Sequence, residues 1–271
     1  MELKILGKIP LDQLERGRKK KNPEVFALET KNKLKSLVER VNNNFGDILD
    51  SDARVKMDNQ DDINFLKIKE EAWAQESGIS LEEYYLKQEK SKGSLAEMAI
   101  TLMLDKISSG RLISVRSSKW DDYENGIDNL LLDTETGAVI CGLDEVFDDL
   151  GQGAKELKEK KVMNKFSNGG AYARYGLKLN LENKKEISIE KLKNLPAFFI
   201  SLNQNELTEI LENIGSKEIS ESEKNVLRQI TGSLKLQLEK MNEIEFKEMP
   251  DNFKNNLSRI PQIISYLEEK I

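Results

Sequence analysis

Apolar side chains recur at Leu95, Met98, Ala99, Leu102, Met103 and Ile107, the three-and-four spacing of an α-helix. This run is apolar on more than one side, which predicts a helix buried in a core rather than laid on a surface. Gly110 ends it, and the period then shortens. RLISVRSS (111–118), GIDNLLLD (126–133) and AVICGLDEV (138–146) read as β-strands, with TETG and Gly137 suited to a hairpin turn between the last two. A Lys-rich helix over about 154–166 follows. The SNGG turn then releases a strand, AYARYGLKLN (171–180), and ISIEKL and LPAFFISL (195–202) add one or two more.

On either side the pattern is helical. Residues 24–45 place Phe26, Leu34, Leu37, Val38 and Val41 on one face, and a second helix is expected over 62–76. Ser80 with Glu83 forms a capping box for a third, and Ser220 with Glu223 another for the long helix that follows it. The last segment, DNFKNNLSRIPQIISYLEEK, is expected to break near Pro261. The fold class expected is α/β (α+β): a central mixed sheet in the order αβββαβ, flanked by helical N- and C-terminal regions. The regions expected are 1–90, 91–203 and 204–271.

Composition narrows the chemistry. The 271 residues include no histidine and a single cysteine, Cys141. That excludes His-based triads, imidazole general bases, an intramolecular disulfide and Cys-rich zinc sites. Neither zinc, haem nor nicotinamide is expected, since the Walker, GxGxxG and HExxH patterns are also missing. The longest apolar runs are a few residues, so no membrane segment is expected. With no secretory h-region at the N-terminus, a cytoplasmic protein is the expectation.

The formal net charge of −6 is a sum of opposed blocks. Residues 1–40 hold 11 Lys/Arg against 6 Asp/Glu, and 41–150 hold 11 against 24. Residues 151–200 hold 11 against 5, and 201–271 hold 9 against 13. An acidic centre between basic blocks suits a metal site beside a phosphate-binding rim; solvated helix faces would give the same counts. RGRKKK (16–21) reads as a basic segment. GDILDSDARVKMDNQDD reads as an acidic loop, where Arg54 and Lys56 break the alternation that an EF-hand calcium loop needs.

Without histidine, phosphodiester hydrolysis calls for Mg²⁺ or Mn²⁺ held by carboxylates. Asp128 and Asp144 lie about eight residues either side of the TETG turn, which makes them cross-strand neighbours in a regular hairpin. Side by side they need a cation, a lysine or a proton between them. Asp128 as a turn-bonding Asx residue, Asp144, Glu145, Asp148 and Asp149 as a solvated strand end, and Glu97 as a helix-dipole partner are the structural alternatives. Tyr172, Arg174 and Tyr175 fall on a strand where rings and a guanidinium suit base stacking, or simply a half-buried strand. Cys141 reads as a buried small hydrophobe, and Trp73 and Trp120 as core or half-buried anchors.

The block 94–180, about a third of the chain, resembles the core of the PD-(D/E)xK nuclease superfamily. The resemblance rests on Glu97 in SLAEMAI, Asp128 in GIDNLLLD and Asp144 in CGLDEV. It implies a metal held by Asp128, Asp144 and Glu145, assisted by Glu97, and a nucleic-acid substrate. The lysine of the motif is replaced by Val146. Lys158, Lys161 and Lys165 share one face of the following helix and are the candidates to replace it. A binding protein that keeps the fold without the reaction, with its terminal helices free for a protein partner, is the alternative.

Overall fold

The computed structural model describes residues 23–147, 152–182, 186–242 and 249–271. The basic run 16–21, together with Asp148 and Asp149, lies outside them. Helix α1 (Pro23–Phe45) precedes α2 (Gln60–Glu76), α3 (Leu81–Glu89) and α4 (Lys92–Ser108). Then come β1 (Leu112–Arg116), α5 (Lys119–Asn125), β2 (Asn129–Asp133), β3 (Ala138–Phe147) and α6 (Gln152–Ser167). The hairpin β4 (Ala171–Leu179) and β5 (Ile187–Leu195) leads to β6 (Ala197–Leu202). Helices α7 (Gln204–Asn213), α8 (Glu221–Asn242) and α9 (Asp251–Glu268) close the chain.

The mixed α/β architecture is the one the periodicity predicts, with three refinements. The order is interrupted by α5, a short helix between β1 and β2. The strand that runs parallel to β3 is β6, paired from Gly142↔Ala197 to Phe147↔Leu202. The strand at 171–180 forms a hairpin with β5 and pairs with β3 at Ala138↔Lys178. A continuous run such as AFFISL, buried along nearly its whole length, is what a strand covered on both faces requires.

The third refinement concerns register. From the turn, Asp133↔Ala138 and Leu132↔Val139 pair in step, and then a bulge shifts the ladder so that Leu131 faces Cys141 and Asn129 faces Leu143. The extra residue is Ile140. Because strand side chains alternate between faces, this one-residue shift decides which side of the sheet every later β3 side chain takes. Continued one step, it sets Asp128 opposite Asp144.

Helix α4 packs its apolar surface on the sheet, and buried residues on almost every side of it match the pattern that predicted a core helix. One apolar cluster runs from Phe26 and Leu34 on α1 through the sheet to Ile264 and Leu267 on α9. The ion pair between Lys106 on α4 and buried Glu223 on α8, at 2.8 Å, ties the C-terminal helices to the centre. The expected break at Pro261 does not occur: α9 passes through it. Proline costs one backbone bond, and the buried row Phe253, Ile260, Ile263, Ile264 and Leu267 holds the helix on both sides of it. The acidic loop after α1 is ordered by bridges at Leu49↔Val55 and Arg54↔Arg116, so it extends the edge of β1. Among the described residues no helix is long and apolar enough to cross a membrane.

Candidate metal centre

Five carboxylates from four elements meet where β2 and β3 emerge below α4 and α5. Glu97 comes from the second turn of α4. Asp122 is supplied by α5, whose N-terminus is capped by Ser118. The neighbouring Asp121 is fully buried and locks α5 onto β4, accepting from the amides of Arg174 (2.7 Å) and Tyr175 (3.0 Å) and from Asn125 Nδ2 (2.8 Å). Gly126 then turns the chain in the left-handed conformation, φ +58°. A Cβ there would lie 3.2 Å from Lys165 Nζ and 3.6 Å from Asp144 Oδ2, so glycine leaves room for both.

Asp128 sits at the mouth of β2, with its Oδ2 accepting the Glu145 amide at 2.6 Å. Glu97, Asp122 and Asp128 offer oxygens that all lie within 4.8 Å of one another. Burial, with Glu97, Asp122, Glu145 and Asp144 around it, holds the Asp128 carboxyl well above the usual carboxylate range. Glu145 lies on the opposite side of β3 from Asp144. Its Oε1 accepts from Asn129 Nδ2 at 2.8 Å, and Asn129 is held in turn by Thr101 and the Glu97 carbonyl on α4. Its Oε2 is buried without a hydrogen-bond partner. Burial pushes Glu145 up to about 8, with Glu97 and Asp144 adding to the rise.

Asp144 is buried and ion-paired with Lys158 of α6. Burial works to lower the Lys158 ammonium, but Asp144, Asp128 and Glu145 together outweigh it and hold the group above the ordinary lysine value. Lys165 donates to the Gly126 carbonyl at 2.9 Å, and burial brings it below that value. Lys158, Lys161 and Lys165 line one cleft of about 620 Å³ together with Asp122, Asp144 and Tyr172. The three lysines that share a helix face in the sequence therefore share a cleft with Asp122 and Asp144, two of the five carboxylates. Val146 is buried on β3 and brings no cation.

Arg174 and Tyr175 are engaged elsewhere. Arg174 Nε pairs with Asp62 at 2.5 Å, and its guanidinium lies 4.8 Å from the Trp120 ring. Tyr175 is buried and donates to the same Asp62 at 2.6 Å, which, with burial, pushes its hydroxyl up to about 12. Of the three strand residues only Tyr172 lines the cleft. Trp120 is half-buried against the core, and Trp73 sits edge-on to Tyr123 at 5.0 Å. Cys141 is buried in β3.

Two residues of the cluster escape a reading of the sequence. Asp122 resembles any acidic residue in a helix's first turn, and only the Ser118 cap hints at the helix. Arg54 looks like the residue that spoils a calcium loop. Its Nη2 pairs with Asp122 at 2.9 Å and Glu97 at 3.4 Å, while Arg116 Nη2 holds Glu97 at 2.6 Å. No family model, curated protein or solved structure matches the chain.

Proposed function

We propose that this chain is a divalent-metal-dependent nuclease of the PD-(D/E)xK type, hydrolysing phosphodiester bonds of nucleic acid in the cytoplasm. One observation carries the reading: Glu97, Asp122 and Asp128 group their oxygens within 4.8 Å, beside a buried Asp144 that is already paired with Lys158. The donor set fits Mg²⁺ or Mn²⁺, which take hard oxygen ligands. Buried Asp128, among four other carboxylates, is the group that a cation would satisfy.

In this reading Glu97, Asp122 and Asp128 would hold the ion, with Asp144 next to them carrying Lys158 and Glu145 on the far side of β3. The metal supplies Lewis-acid stabilisation of the phosphate and lowers the pKa of water. Lys158 stands in for the lysine missing at Val146: anchored on Asp144, its ammonium orients a nucleophile or neutralises a phosphate oxygen. Lys161 and Lys165 extend positive charge along the cleft, where a strand's backbone phosphates would run.

The alternative is a non-catalytic chain that binds nucleic acid, or a protein through its terminal helices. It is favoured by Val146 and by the two arginines that already pair Glu97 and Asp122. The test is Mn²⁺ binding by calorimetry and cleavage of single-stranded and branched DNA and of RNA, with Asp128→Asn and Lys158→Met alongside. The nuclease reading expects Asp128→Asn to abolish both binding and cleavage, and Lys158→Met to keep the metal while losing at least about 100-fold in rate. A parent protein that takes no Mn²⁺ and cuts no substrate refutes it.

A further inference from the structure

Arg54 reaches the carboxylates from outside the α/β centre. The turn that carries it is fixed by its backbone. Ala53 takes a left-handed conformation, φ +58°, and Asp50 Oδ1 accepts from the Asp52 (2.8 Å) and Arg54 (3.0 Å) amides. Val55 N donates to the Arg116 carbonyl and Arg116 N to the Ala53 carbonyl, both at 3.0 Å. The guanidinium therefore arrives in place without a hinge. It is buried, spans Asp122 and Glu97, and donates to the Ser117 carbonyl at 3.3 Å. Asp128, the third member of the cluster, makes no ion pair to Lys or Arg among the described residues; its oxygen takes the Glu145 amide instead.

A positive charge held against two of three clustered carboxylates occupies the negative potential that a divalent ion needs. We propose that Arg54 is the resident cation of this site and competes with a divalent metal for Asp122 and Glu97, setting how tightly the site takes metal. The proposal rests on the nuclease-type metal site above. Arg116 touches only Glu97 of the three, so its influence is smaller. The geometry also separates charge from shape: a lysine at position 54 keeps the charge and loses the fork that spans two carboxylates.

The experiment is Mn²⁺ titration by calorimetry of the full chain in four forms, parent, Arg54→Gln, Arg54→Lys and Arg116→Gln, with the Mn²⁺-induced shift in melting temperature measured on each. Arg54→Gln is expected to bind Mn²⁺ at least tenfold more tightly than the parent and to gain the larger thermal shift. Arg54→Lys is expected to stay within about threefold of the parent, and Arg116→Gln to fall between. If Arg54→Gln folds poorly without metal, a Mn²⁺ shift larger than the parent's supports the proposal equally, since a metal that binds the folded form stabilises it by mass action. Equal or weaker Mn²⁺ binding by Arg54→Gln, with the parent binding normally, overturns it and makes Arg54 a support for the carboxylates. If no form binds Mn²⁺, the metal reading itself fails and this proposal falls with it.

Discussion

Glu145 offers a direct measurement of what burying the acidic cluster costs. Its carboxyl lies inside the protein, with one oxygen on Asn129 and the other without a partner, and its proton affinity rises from 4.5 to about 8. A folded-state pKa above the unfolded one means that the native protein binds the proton more tightly. The stabilisation is fully present below about pH 4.5 and is lost as pH climbs through 8. A shift of this size corresponds to about 5 kcal/mol of stability lost between pH 4.5 and 8, at 1.36 kcal/mol for each pH unit. Asp128, also raised, adds to the slope. Glu145→Gln removes this titration while keeping an oxygen for Asn129 to donate to. Urea unfolding of parent and variant at pH 5, 6, 7 and 8 in a chelator should show the parent losing stability across the series. The variant should follow a curve flatter by a few kcal/mol and become the more stable of the two by pH 8. Parallel curves for the two proteins would refute the reasoning, because they would mean that Glu145 gives up its proton as readily in the folded chain as in the unfolded one.

Other expectations follow from single contacts. Lys106→Met strips the cation from Glu223, whose side chain is 1% exposed, and should cost about 3–5 kcal/mol in chemical denaturation, with Lys106→Met/Glu223→Leu recovering most of it. Gly170 lies at φ +104°, and a Cβ there would come within 2.7 Å of the Asn194 carbonyl carbon and 2.8 Å of the Phe253 ring. Gly170→Ala should therefore lower the melting temperature, by more than Gly215→Ala, where a Cβ meets nothing within 4 Å.

The sheet and its core helix were legible because hydrophobic period reports burial directly. Leu95 through Ile107 is apolar on more than one side, and the apolar runs after Gly110 were too brief for helices and bounded by turn residues. The lysine face of α6 was equally legible, since helical geometry alone brings residues 158, 161 and 165 together. Pro261 misled in the other direction: its local preference for a break was overridden by four buried residues beyond and beside it, whose packing outweighs one missing hydrogen bond. The pairing of 171–180 was also hidden. Local pattern identifies a strand, but its partner is chosen by which edges remain free once β6 has docked beside β3.

The candidate site divides in the same way. The residue types at Glu97, Asp128 and Asp144 and the lack of histidine restrict the chemistry whatever the fold, because side-chain chemistry belongs to the sequence. Their convergence does not. A single bulged residue, Ile140, decides that Asp144 rather than Leu143 stands across from Asp128, and alternation then sends Glu145 to the α4 face. Asp122 enters only because Asp121 pins a seven-residue helix to β4, and Arg54 only because a turn 43 residues before Glu97 bridges to the end of β1. Sequence by itself determined which groups are present and which local elements carry them. Tertiary structure alone decided which of them share one charge environment, because Coulomb interactions depend on distances of a few ångströms that contacts remote in the chain create.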